Sequence, residues 1–229
     1  MRILKIILFI LISFGFSASA SLSKDSGLEG GLFIIPENSG MKWLKEIVYY
    51  SSLTSINKVV IHAKTPRGRI YWNSDNETAI ETKAVYPGFD IIKAMKYLKK
   101  ADFKVIAKID VFIDSNLAEK KPDMALINRF TGKSWKNKNG LKWTNPYDKR
   151  VWKYNTDLAA ELALKGFDEI QFDYIRFPSD GVLKNIDYSF NKDNMSKSDA
   201  ISLFLKYAQA ELKPLNVEIS ADIFGLTAW

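Results

Sequence analysis

The chain is predicted to be an α/β protein of the (β/α)8 TIM-barrel type, incomplete at about five βα units. Three observations carry that prediction. Apolar, β-branched runs of strand length alternate with amphipathic stretches at helical spacing, the order that builds a parallel sheet. Long loops bearing tryptophan follow the second and third strands, where a barrel builds its active face. The doubly wound alternative usually places a G-x-G-x-x-G turn after its first strand, and Glu37-Asn38-Ser39-Gly40 stands there instead.

The N-terminus reads as a secretory signal over residues 1–20. Arg2 and Lys5 flank the start of an apolar run, Ile6 to Phe16, and Ser17-Ala18-Ser19-Ala20 supplies the small residues of a cleavage site. The run is shorter than the roughly 20 residues of a membrane span, so no stable span is expected once the leader is removed. Export to the periplasm, cell surface or medium follows. A Ser/Gly-rich joint, residues 21–31, leads into the barrel domain, residues 32–229.

Leu32–Pro36 reads as the first strand and Met41 to Ile56 as a helix, with Trp43, Leu44, Ile47 and Val48 at helical spacing. Lys58–Lys64 is the second strand, and Thr65–Pro87 a long polar loop. Phe89 to Ala101 is an amphipathic helix, Phe103–Phe112 the third strand. Ile113 to Pro146 is too long for a plain connector and implies a functional insertion or small subdomain. Tyr147 to Lys165 is a helix, with Asp148 near its start and Gly166 at its end. The fourth strand lies in GFDEIQFDYIRFPSDG, the next helix is Lys197 to Leu212 with Ser196 or Ser198 as N-cap, and Val217–Phe224 is the fifth strand.

Composition narrows the chemistry. There is no cysteine, which excludes disulfides, thiolate metal sites and cysteine nucleophiles. No cofactor and no metal are expected; a site from His62, Asp110 and Asp173 has no short-spaced ligand motif behind it. The net charge of +7 permits an acidic partner, but the lysines are scattered apart from Lys133–Lys142 (KSWKNKNGLK). No nucleic-acid recognition motif accompanies them, so the charge is read first as a solubility feature and nucleic acid is not expected as a partner.

Strand parity brings out the candidate site. Val59, Ile61 and Ala63, Val105, Ala107 and Ile109, Ile170, Phe172 and Tyr174, and Ile219, Ala221 and Ile223 form the helix-facing apolar set. The alternate set is His62 and Lys64, Lys108 and Asp110, Gln171 and Asp173, Ser220 and Asp222. A packed barrel interior should be bulky and branched there, so this convergence points to a site. Asp173 and Asp222 fall at similar heights on strands about 4.8 Å apart. Their carboxyls would then lie roughly 5–6 Å from each other, as in retaining glycosidases. A structural network pairing Asp222 with Lys108 or Lys64 is the alternative, as is a His62 that is merely hydrogen-bonded in place. Trp72, Trp135, Trp143 and Tyr71 either stack on sugar rings or pack the loops down.

The segments GFDEIQFDYIRFPSDG, GLKWTNPYDKRVWKYN, KVIAKIDVF, KPDMAL and ISADIFGLT resemble the bacterial family named "putative glycosyl hydrolase domain", formerly a domain of unknown function. The resemblance runs from about Lys58 to Leu226. It implies a (β/α)8 barrel with a catalytic Asp at the end of the fourth strand, which is Asp173 here, and it points further to Arg176 and Asp222. The chain departs from the family pattern at His62, where that pattern has Asp, and at Thr65-Pro66, where it has an acidic pair. The resulting expectation is an exported hydrolase of a cell-envelope or extracellular polysaccharide. Asp173 and Asp222 are its catalytic pair. His62, Lys64, Lys108, Asp110, Gln171, Arg176 and Trp143 are its substrate-binding residues. The alternatives are a non-catalytic carbohydrate-binding or envelope module, and an inactive fragment that another chain would have to complete.

Overall fold

A computed structural model describes residues 30–36, 41–86, 88–191 and 193–223. The leader, most of the joint, residues 37–40 and residues 224–229 lie outside them. The main sheet has five parallel strands: β1 (Gly30–Ile34), β2 (Ile56–Lys64), β3 (Lys104–Asp110), β5 (Glu169–Asp173) and β7 (Glu218–Ala221), in that spatial order. Between them run α1 (Met41–Ser51), α2 (Glu77–Glu81), α3 (Ile91–Lys99), α4 (Ser115–Lys120), α5 (Lys149–Lys165) and α6 (Lys197–Leu212). A two-stranded antiparallel pair, β4 (Ile127–Asn128) with β6 (Ile186–Asp187), joins the loops after β3 and β5. Sequential parallel neighbours joined by crossovers of one hand, the rule for such sheets, have their helices on one side. That side is dry: Val59, Ile61, Ala63, Val105, Ala107, Ile109, Ile170 and Phe172 are fully buried. Among the described residues, β1 and β7 have no outer strand partner.

Several boundaries differ from the sequence expectation, each for a local reason. Gly30 and Gly31 belong to β1 rather than to the joint, and a Cβ on Gly30 would come within 3.0 Å of the Ile56 side chain. The first helix ends at Ser51, not Ile56. The Thr54 hydroxyl donates to Ser51 O and accepts from Ile56 N, drawing the backbone off into a turn. The supposed polar loop 65–87 contains α2, capped by Asn76, and packs Ile70, Tyr71, Trp72, Ala79 and Ala84 into the core. Elsewhere the capping reads as the sequence implies. Asp148 accepts from Arg150 N, Ser196 from Asp199 N, and Gly166 ends α5 in the left-handed region at φ 108°.

Candidate functional site

The polar residues meet at the C-terminal ends of β2, β3, β5 and β7. Register pairs His62 with Lys108, and Asp110 with Asp173. Asp222 follows Ala221, the partner of Phe172, and its N–H donates to Phe172 O at 2.8 Å. Asp173 and Asp222 therefore leave adjacent strands at the same end.

Lys108 is the hub. Its Nζ reaches Asp110 Oδ1 at 2.5 Å and Asp173 Oδ2 at 2.6 Å, with its side chain only 11% exposed. Burial works against its charge, but Asp110 and Asp173 outweigh burial and raise its pKa. Asp110, fully buried, also bonds His62 Nε2 at 2.9 Å. Burial pushes the Asp110 carboxyl up, yet His62 and Lys108 together hold it below the usual carboxylate range. The second oxygen of Asp173 accepts from the Tyr174 N–H at 2.6 Å. Asp222 accepts from Gln171 Nε2 at 2.6 Å. Burial, then the charge of Asp173, raises its pKa against the pull of the Gln171 hydrogen bond and the Lys108 charge. Two carboxylates on neighbouring strands thus have different surroundings, one ion-paired with Lys108 and one whose pKa is raised by burial. The place between Asp110 and Asp173 that a bound cation would need is taken by an ammonium group.

Three sequence expectations need correction. Lys64 does not line the open face. A bulge between His62 and Lys64 sets Lys64 opposite Ile109, reversing its parity. Its Nζ lies fully buried, 2.8 Å from Asp114 Oδ2 and 2.6 Å from Asp110 O, over the Tyr154 ring. Trp143 is fully buried and offers no face to a sugar; Tyr71, Trp72 and Trp135 are likewise packed in, at 2–3% exposure. Tyr174 is not helix-facing. Its φ of 51° breaks the strand alternation and turns its ring toward Lys108, at 5.8 Å. Arg176 follows, its guanidinium 5.3 Å from the Tyr174 ring and 5.4 Å from Trp143, with Nη1 donating to Ser179 Oγ.

Tyr174 and Phe33 are the site residues that parity reasoning missed. Phe33 of β1 is 44% exposed, with its ring 5.5 Å from His62 and 6.0 Å from Lys108 Nζ. Its pairing with Val60, two residues before His62 and so on the same face, was open to a register argument from β1. No sequence signal marks a tyrosine for positive φ.

The family described as "Putative glycosyl hydrolase domain" matches residues 31–229. No curated protein matches the chain. A hypothetical protein from Ruminiclostridium thermocellum ATCC 27405 has a similar crystal structure, with TM-score 0.76 and 33% identity over 85% of this chain and 98% of that one. The Flavobacterium johnsoniae chitobiase FjGH20 superposes with TM-score 0.60 and 13% identity, over 83% of this chain and 30% of that one. The GH20 β-N-acetylhexosaminidase of Streptomyces coelicolor A3(2) gives 0.53 and 12%, over 84% and 38%. At such identities the last two share a fold with this chain, which spans well under half of their length.

Proposed function

From the premise that the chain belongs to the family described as "Putative glycosyl hydrolase domain", we propose that it is an exported glycoside hydrolase of a cell-envelope or extracellular polysaccharide. The observation that carries this reading is the divergent environment of two carboxyls at one end of the sheet. Asp173 faces the Lys108 ammonium, while burial and Asp173 itself raise the pKa of Asp222. Groups whose surroundings push them apart divide acid and base roles between them. Asp222 gives its proton to the glycosidic oxygen as the bond to the sugar breaks. Asp173, ion-paired with Lys108, faces the oxocarbenium-like centre as nucleophile or stabilising group. Lys108 and Tyr174 fix the Asp173 rotamer, and Gln171 orients Asp222. Phe33 and His62 form a wall on the β1–β2 side. Export rests on the leader pattern alone, and N-terminal sequencing of the mature protein is expected to begin at Ser21.

A glycan-binding module without turnover is the second reading. It is favoured by the engagement of both Asp173 oxygens, one with Lys108 and one with the Tyr174 N–H. A panel of polysaccharides assayed with wild type, Asp173→Asn and Asp222→Asn separates the two. Hydrolysis by the wild type, reduced at least 100-fold in each variant, supports the enzyme, general acid–base groups contributing about 10²–10⁴-fold. Measurable binding with no turnover in any of the three removes it.

A further inference from the structure

The lysine run KSWKNKNGLK, read at first as a solubility feature, is a built structure. Between Asp123 and Asp148 the chain carries Arg129, Lys133, Lys136, Lys138 and Lys142 and no acidic residue. Lys136 and Lys142 form an antiparallel bridge, and Asn137 N donates to Leu141 O at 3.0 Å. The Asn137 side chain, buried, accepts from the N–H groups of Asn139 and Leu141. Gly140 takes the left-handed conformation the turn requires, at φ 75°. Trp135 and Trp143 plug the two feet of this hairpin. A charge run that serves only solubility needs no such frame.

The hairpin stands against the candidate site. Trp143 at its foot lies edge-on to Tyr174 at 5.9 Å and beneath Arg176. The loop that leads out from Asp173 presses on it at Gly181, where a Cβ would meet Trp135 at 3.0 Å and Asn137 Cα at 3.1 Å. Lys142 is paired with Glu119, and Lys136 lies within the field of that carboxylate. Lys133 and Lys138 are exposed and have no carboxylate partner among the described residues. Phe130, on the neighbouring turn, is 74% exposed.

We propose that this hairpin is a binding ledge for an anionic glycan, a polymer whose sugars bear carboxylates. This deepens the hydrolase reading and rests on it for the nature of the polymer. Lysine ammoniums are point charges that suit carboxylates repeating along a chain, without the fork geometry that arginine imposes. The hairpin's tryptophans are buried, so it lacks the row of stacking faces that single-stranded nucleic acid uses. The tip, Lys138-Asn139-Gly140, has no apolar group to enter a bilayer. Continuity with Arg176 and Asp173 places the ledge where a bound chain would run toward the carboxyl pair.

The test is calorimetry of the mature chain with polygalacturonate and with a neutral polymer, dextran, alongside duplex DNA and anionic phosphatidylglycerol vesicles. The variant is Lys133→Gln/Lys138→Gln. The control is Lys96→Gln/Lys100→Gln on a separate lysine-lined groove near the ends of α3 and α5. Polygalacturonate affinity is expected to fall about tenfold in the hairpin variant and to weaken in about 0.5 M salt, with the control and thermal stability unchanged. Equal binding by wild type and hairpin variant overturns the proposal, as does equal loss in the control or tighter binding of DNA or vesicles. Turnover is scored separately. Hairpin-dependent binding without hydrolysis of any polymer keeps the ledge and removes the hydrolase; hydrolysis indifferent to the hairpin variant does the reverse.

Discussion

Asp222 and Asp110 show how one cluster gives two carboxyls opposite dependences on pH. The folded state holds the Asp222 proton to higher pH than the unfolded chain does, because burial and Asp173 disfavour its anion. Its stabilising contribution is therefore complete below the unfolded value of about 3.9 and is lost as pH rises through the folded value. Asp222→Asn is expected to raise Tm relative to wild type near pH 7 and to leave it unchanged near pH 3, by thermal unfolding. A lower Tm near pH 7 would show that the aspartate is held there as an anion. Asp110 runs the other way. Its lowered value contributes stability above the unfolded pKa that is lost as pH falls through the folded one. Asp110→Asn leaves Lys108 and His62 without their buried partner and is expected to cost about 3 kcal/mol near neutral pH, measured by denaturant unfolding. A cost that persists undiminished in acid would point to packing instead.

At the scale of elements, the loops after β2 and β3 are welded by groups that sequence reasoning assigned elsewhere or passed over. Lys64 pairs with Asp114 in the interior, and Asp114 also caps α4 through Leu117 N. Above them, Ser115 N and Asn116 N donate to Pro66 O and Arg67 O. Gly68 closes the turn at φ 77°, where a Cβ would lie 2.1 Å from Asp114 Oδ1. Gly68→Ala must move that carboxylate as well as accept the strained φ, and is expected to destabilise by more than about 2 kcal/mol. Lys64→Met, which strands Asp114, is expected to cost about 3–5 kcal/mol. Equilibrium unfolding reads both, and a Gly68→Ala protein as stable as wild type would mean that the turn is free to shift. Capping was legible because it is local: Asp148, Ser196 and Gly166 act within one turn of their own helices. The reversal at Lys64 was not, since a bulge becomes visible only when the partner strand is in register.

For the molecule as a whole, the sheet order decides where ligands can bind. Five parallel strands in sequential order, helices on one side, leave the other face to the polar residues. At the margins Phe33 is 44% and Ile223 76% exposed, on or beside strands with no outer partner among the described residues. Unpaired edges of this kind favour association. The purified mature chain is expected to self-associate as its concentration rises, followed by light scattering. A monodisperse monomer at high concentration would show that residues outside the described set cover the edges.

The amino-acid sequence by itself determined the alternation of strand and helix, the parallel sheet, the helix caps and the membership of Asp110, Asp173 and Asp222 in one cluster. All of these follow from period and local chemistry, which each segment carries in its own residues. Only the tertiary structure decided that Lys64 turns inward, that Trp143 is packing rather than platform, and that Tyr174 and Phe33 face the site. It also decided that KSWKNKNGLK stands as a framed hairpin against the Asp173 loop. Each of these depends on a bulge, a positive φ or a contact between segments far apart in the chain, and a linear pattern of polar and apolar residues does not encode which distant backbone will come to lie beside it.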